Sequence, residues 1–209
     1  MKKAFLVITL IVAGFEFSFA QRTYFEFKLS KEIFKDFELS VSPQVRFNEG
    51  FDLKKYFADL EAEYEFNKYF SASATYRLGT NITKKDNKEF FGRFAIDAKT
   101  GFKWHHFESQ FRLRYSNENS DFSDAKEENA NYLRYKIGLE YHIKKLDLTP
   151  YIYTEFFQNL PESNWDKTRY EGGLDYKINK HNKIGAYYRL NTTEDDRIHI
   201  IGLSYKLEL

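Results

Sequence analysis

Phe37-Glu38-Leu39-Ser40-Val41-Ser42-Pro43-Gln44-Val45-Arg46-Phe47 is the stretch on which the fold of this chain turns. Phe37, Leu39, Val41, Pro43, Val45 and Phe47 fall on one face of an extended segment. Glu38, Ser40, Ser42, Gln44 and Arg46 fall on the other. Successive strand side chains point to opposite faces, so this is a strand with one apolar and one polar surface.

The same period of two recurs downstream. Tyr56, Ala58, Leu60, Ala62, Tyr64 and Phe66 oppose Lys55, Asp59, Glu61, Glu63 and Glu65. Phe70 to Leu78 alternate with Ser71, Ser73, Thr75 and Arg77, and Phe90 to Ala98 with Glu89, Arg93, Asp97 and Lys99. Phe107, Phe111, Leu113 and Tyr115 oppose Glu108, Gln110, Arg112 and Arg114. Leu133 to Ile143 alternate with Arg134, Lys136, Glu140 and His142. Four further candidates cover roughly 148–157, 169–178, 183–192 and 197–209, and a first one covers 23–29. Segments of about 10 residues suit tilted membrane strands.

Connections between the segments are of two kinds. Tight polar turns recur at Lys35-Asp36, Asn67-Lys68, His105-His106, Lys144-Lys145 and Asn179 to Asn182. Longer polar loops lie at 48–52, 81–88, 117–130 and 159–167. Outer-membrane barrels have short periplasmic turns and longer outer loops. The reading is therefore all-β: one antiparallel up-and-down transmembrane β-barrel of 10 to 12 strands, apolar face outward, with a polar lumen. Two details strain it. Pro43 lacks a ladder donor, so a bulge or local break is expected there. Eleven segments conflict with the even strand numbers of bacterial barrels. Either 23–29 is an arm outside a ten-stranded ladder, or one segment hides two strands.

The first twenty residues read as a secretory signal. Lys2 and Lys3 precede an apolar run from Ala4 to Phe15, and Ser18-Phe19-Ala20 forms a small-x-small cleavage site, so the mature chain begins at Gln21. The domain division is thus a signal at 1–20 and a barrel over 21–209. The location expected is the outer membrane of a Gram-negative bacterium, with membrane lipid and the barrel-insertion machinery as partners and a monomeric state.

Composition agrees. The chain is 30% charged with a mean hydropathy of −0.64, yet 19% aromatic, which a disordered chain would not be. Removing Lys2, Lys3 and Glu16 with the signal leaves 30 basic and 30 acidic residues, a balance that argues against nucleic-acid binding. The chain has no cysteine, which removes disulfides, thiolate metal sites and a cysteine nucleophile.

Lys55-Tyr56-Phe57-Ala58-Asp59-Leu60, the run Glu63 to Ser71, Leu133-Arg134-Tyr135-Lys136 and Gly138-Leu139-Glu140-Tyr141 carry a resemblance. They resemble the domain-of-unknown-function family 2490, small bacterial outer-membrane barrels. The resemblance implies a barrel and an outer-membrane location, and it brings no activity to carry onto residues. It also implies a final alternating strand ending in an aromatic. Tyr205, Leu207 and Leu209 keep the alternation, with Leu209 in place of the usual Phe.

Catalysis is not expected. A serine hydrolase needs a histidine beside the nucleophile and a third group to orient it. His105, His106 and His181 fall in turns, His142 has no same-face serine two residues away, and His199 lacks the aspartate spacings of outer-membrane proteases. No catalytic residue, cofactor or metal ligand is assigned. Glu118, Asp121, Asp124, Glu127 and Glu128 lack the spacing of a calcium loop. The lumen-lining candidates are Asp59, Glu61, Glu63, Glu65, Arg77, Arg93, Arg112, Arg114, Arg134, Lys136 and Glu140. Eight strands leave room only for side chains and aqueous channels need about 16, so these charges should form a network filling the interior. The alternative is a small pore or transporter for polar solutes, whose selectivity such charges would set.

Overall fold

The computed structural model describes residues 21–83, 87–117 and 131–209. Residues 1–20, read above as a signal, and the acidic residues of the 117–130 loop lie outside the described residues. Eleven strands are described: β1 (Arg22–Phe34), β2 (Phe37–Asn48), β3 (Leu53–Asn67), β4 (Phe70–Ile82), β5 (Lys88–Trp104), β6 (Phe107–Asn117), β7 (Asn131–Tyr141), β8 (Leu148–Asn159), β9 (Asn164–Lys177), β10 (Asn182–Thr192) and β11 (Arg197–Glu208). Each pairs with its sequence neighbours, and β1 meets β11 to close the barrel.

The closure resolves the strand-number conflict in a way neither expectation held. No segment hides two strands among the described residues, and the 23–29 segment is not an external arm. It lies inside β1, which pairs antiparallel with β2 and parallel with β11, from Arg22↔Ile200 to Ser30↔Glu208. An even number is required only when every interface is antiparallel; one parallel seam permits an odd number. The seam also sets at which ends of the barrel β1 begins and β11 finishes. Gln21 is at the end of the barrel that carries the longer connections, and Leu209 is at the short-turn end, where its N–H donates to the Ser30 carbonyl at 2.9 Å.

Pro43 interrupts the ladder without shifting it. Pairing of β1 with β2 passes from Glu26↔Gln44 to Leu29↔Val41 in unchanged register, while Pro43 keeps its place opposite Ala58 on β3. Proline's missing donor is thus spent on one side only. The expected loop at 159–167 is shorter than read. β8 runs to Asn159 and β9 starts at Asn164, because Trp165 pairs with Gln158 beside a bulge and packs edge-on against Phe156. At the tight turns, Asn67 Oδ1 accepts from the N–H groups of Tyr69 and Phe70 at 2.9 and 3.1 Å.

The two faces differ in kind. Leu39, Leu60, Ile96, Ile137 and Ile152 are exposed on the outer wall, while Arg134, Asp97 and Glu155 are buried within. Aromatic rings gather at both rims. Near the short turns Tyr69, Phe102, Trp104, Phe107 and Tyr141 form an unbroken chain of ring contacts. At the other rim Phe25, Phe47 and Phe51 form one cluster, and Tyr135, Trp165 and Phe156 another.

Candidate functional site

Inward side chains stack in rows where cross-strand partners meet, and two adjacent rows carry a concentration of charge. One passes from β5 to β9 through Lys99, Arg112, Lys136, Glu155 and Arg169. The next passes through Asp97, Arg114, Arg134, Phe157 and Lys167. Arg112 is directly opposite Lys136, and Arg114 is directly opposite Arg134. Like charges in that relation repel, so the wall holds together through acids reaching it from alongside.

Glu155 is the main one. Its Oε1 receives Arg112 Nη2 at 2.5 Å and Arg134 Nη2 at 3.0 Å, and its Oε2 receives Arg169 Nη1 at 3.2 Å. Asp97 takes Arg114 through two bonds of 2.5 and 2.6 Å. Both carboxylates are almost wholly buried, at 3% and 1% exposure, so they interact with the guanidinium groups in a medium far less screening than water.

Across the interior the β2–β3 wall is acidic. Asp59 is paired with Arg77 in a two-bond contact of 2.6 and 2.9 Å. Glu61 lies 3.6 Å from Lys99 and 3.7 Å from Lys28, and Glu63 receives Lys99 at 2.7 Å and the Ser71 hydroxyl at 2.7 Å. Glu140 accepts from Gln110 at 2.8 Å and from the Tyr153 hydroxyl. Arg93 is buried with its guanidinium 4.7 Å from the Phe91 ring. Glu65 stays apart, exposed beside the Asn67 turn.

Residues that the pattern did not single out complete the interior. Tyr24, Phe57 and Phe157 are buried inside, with Arg46 over Tyr24 and Phe57, Arg77 over Phe57, and Arg134 and Lys167 over Phe157. Cations stacked on ring faces there add a favourable electrostatic contact. Arg189 donates to Glu171 at 2.7 Å, and Tyr187 to Glu26. The signal for these was present but ambiguous. In Tyr151-Ile152-Tyr153-Thr154-Glu155-Phe156-Phe157 both faces carry rings, so alternation alone does not say which points inward.

Between the two walls lies a cavity of about 280 Å³, lined among others by Asp59, Arg77, Arg112, Arg134, Lys136 and Glu155. A second, apolar groove of about 450 Å³ lies on the outer wall against Leu39, Val41 and Leu60.

The family model described as "Protein of unknown function (DUF2490)" matches residues 21–198. The chain belongs to the DUF2490 family. No curated protein matches the chain. Membership of DUF2490 brings no reaction, so chemistry must be sought in the side chains themselves.

One constellation at the short-turn mouth of this DUF2490 barrel has catalytic components. His142 Nδ1 is 3.2 Å from the Thr149 hydroxyl and its Nε2 is 3.1 Å from Glu108. The hydroxyl comes from across the hairpin, not from two residues away along the strand. A hydroxyl, an imidazole and a carboxylate are in relay order, and Thr149 lines neither of the two cavities described above. Glu108, Glu140 and His142 also offer three possible ligand atoms within 4.8 Å of one another. Lys103 and Thr149 bind the first and last of these groups, and Gln110 and Tyr153 the middle one, which accounts for them as a hydrogen-bonded rim. His199 faces outward and meets the Tyr188 hydroxyl at 2.6 Å.

Proposed function

We propose that this protein is a non-enzymatic β-barrel of the outer membrane of a Gram-negative bacterium, monomeric, surrounded by lipid, with an interior largely filled by charged side chains. The observation that carries this reading is the inverted distribution of polarity. Ile137 is 55% exposed and Ile152 64% exposed on the outer wall, while Glu155 and Arg134 are 3% and 5% exposed inside. A water-soluble monomer rarely exposes a contiguous apolar patch larger than a few hundred Å². A bilayer makes the same wall favourable, and it makes strand closure obligatory because unpaired edge groups have no water to bond. Aromatic rings at both rims support it further, as such girdles sit at the two membrane interfaces.

Export would follow cleavage after Ala20 and insertion by the barrel-assembly machinery. The paired interior supports a barrel that does not conduct: Glu155 with three arginines, and the cations over Phe57 and Phe157, fill part of the interior. Fractionation tests location: the folded chain should sediment with outer membranes and require detergent for release. Recovery as a stable detergent-free periplasmic monomer would refute it. Planar-bilayer recording tests the interior, with no steady conductance expected; a stepwise ionic current would establish the pore or transporter for polar solutes instead.

A further inference from the structure

We propose that the interior cavity is a binding site for a tetrahedral oxyanion of the phosphate class, held between Lys136 and the guanidinium groups of Arg112 and Arg134. This goes beyond the proposed function and needs only the closed barrel interior, not its membrane location.

Charge on the cavity wall is the first ground. Eight basic and four acidic side chains line it. All four acids are already engaged: Glu155 serves three arginines at once, Asp59 holds Arg77 through both oxygens, Glu171 receives Arg189 and Glu26 accepts from the Tyr187 hydroxyl. Outside the lining, Asp97 holds Arg114 through both oxygens. Excess positive charge inside a barrel is unfavourable unless an anion enters, because the low-dielectric surroundings strengthen repulsion as much as attraction.

The second ground is geometric. Lys136 has Arg112 directly opposite on β6 and Glu155 directly opposite on β8. Its ammonium nevertheless rests 3.7 Å from the centre of the Tyr153 ring, and no ion pair or hydrogen bond holds it among the described residues. Arg112 uses Nη2 on Glu155, while its buried Nε has no hydrogen-bond partner. Lys136 and Arg112 both line the cavity, and an ammonium beside a planar guanidinium is the complement of an oxyanion. A tetrahedral anion accepts from several directions at once, as a flat carboxylate cannot. The space of about 280 Å³ admits such an ion with several waters, each needing roughly 30 Å³ of liquid volume.

Isothermal titration of the full barrel folded in detergent, with inorganic phosphate against chloride at equal ionic strength, tests this. One saturable phosphate site per chain is expected, with chloride giving none. Lys136→Met should weaken the site about ten-fold or more, the effect of losing one charge-assisted hydrogen bond, and Lys136→Arg should restore most of it. Lys31→Met, at an exposed position outside the cavity, should leave it unchanged. Should Lys136→Met not fold, Arg112→Lys reads the same site and is expected to weaken binding at least about three-fold through loss of its fork geometry. Absence of saturable phosphate binding by the wild-type chain overturns the proposal. So does unchanged affinity in whichever of these variants folds. A protein that binds phosphate yet proves soluble would leave this site standing and remove the membrane reading.

Discussion

Arg112 and Lys136 face each other across the β6–β7 pair, two cations in direct register inside a closed barrel. Glu155 reaches Arg112 from the other side of Lys136, at 2.5 Å, and bonds Arg169 opposite it on β9 but not Lys136 opposite it on β7. One carboxylate thus binds three arginines, with Lys136 beside it and Glu171 lining the same cavity. This arrangement makes the wall sensitive in opposite directions to loss of an acid and loss of a base.

Removal of the shared acid should be severe. Breaking a buried ion pair by deleting one partner costs about 3 to 5 kcal/mol, because the remaining charges lose compensation without regaining water. Glu155→Leu should therefore lower the denaturant midpoint of the detergent-folded barrel sharply in phosphate-free buffer. Lys136→Gln in the same buffer should be neutral or stabilising, since it relieves repulsion with Arg112. Equal losses in the two variants would contradict the charge balance described.

Charges placed on the outer wall should behave differently from charges removed inside. Leu60 and Ile137 are 46% and 55% exposed on that wall. An arginine at the bilayer midplane costs about 2 to 4 kcal/mol, falling to about 0 to 1 near the interfaces. Leu60→Arg and Ile137→Arg should reduce the yield of heat-modifiable folded barrel in vesicles far more than Lys136→Gln. Glu61→Gln should fall between, because Lys28 and Lys99 each lose one of two acids and keep only Glu38 and Glu63. Normal folding of both arginine variants would place the apolar wall away from lipid.

Sidedness can be read with single cysteines, since the chain has none of its own. Glu162 lies between β8 and β9 at the end bearing the longer connections, and Lys68 in the β3–β4 turn at the other. A membrane-impermeant maleimide on intact cells should label Glu162→Cys and spare Lys68→Cys. The parallel seam adds a point: a tag preceding Gln21 should be reachable from the same side as Glu162. Labelling of Lys68→Cys alone would reverse the barrel.

Tyrosines cover glycines inside the sheet, and this pairing is testable as a unit. Gly138 is directly opposite Tyr153, and a Cβ added there would collide with the ring. The ring is held in place by its hydroxyl bond to Glu140. Gly138→Ala should cost about 1 to 3 kcal/mol by overpacking. In a Tyr153→Ala background the same change should cost almost nothing, and a double-mutant cycle on unfolding midpoints measures the difference. Additive effects would mean that the ring moves aside freely.

How much was legible in advance differs between elements, and the reason is physical. Alternation at Phe37–Phe47 and Lys55–Phe66 reports which face of a strand meets which medium, so strand positions, the short turns and the outward placement of Leu60 and Ile137 follow from residue order alone. The inward charges on β3, β6 and β7 could be read the same way. Alternation carries no information about direction or partner, however. That β1 runs parallel to β11, and so closes an eleven-stranded barrel, depends on a hydrogen-bonded seam between residues some 180 positions apart, such as Arg22 and Ile200. The ionic partners depend equally on register: Glu155 meets Arg112, 43 residues away, only because both sit on strands flanking β7. Where both faces carry rings, as from Tyr151 to Phe157, facing itself stays ambiguous until the neighbouring strands supply Gly138 beneath Tyr153 and three cations over Phe157. Polarity along the chain selects the fold; closure brings distant side chains together, and the excess of positive charge around one cavity exists only after that closure.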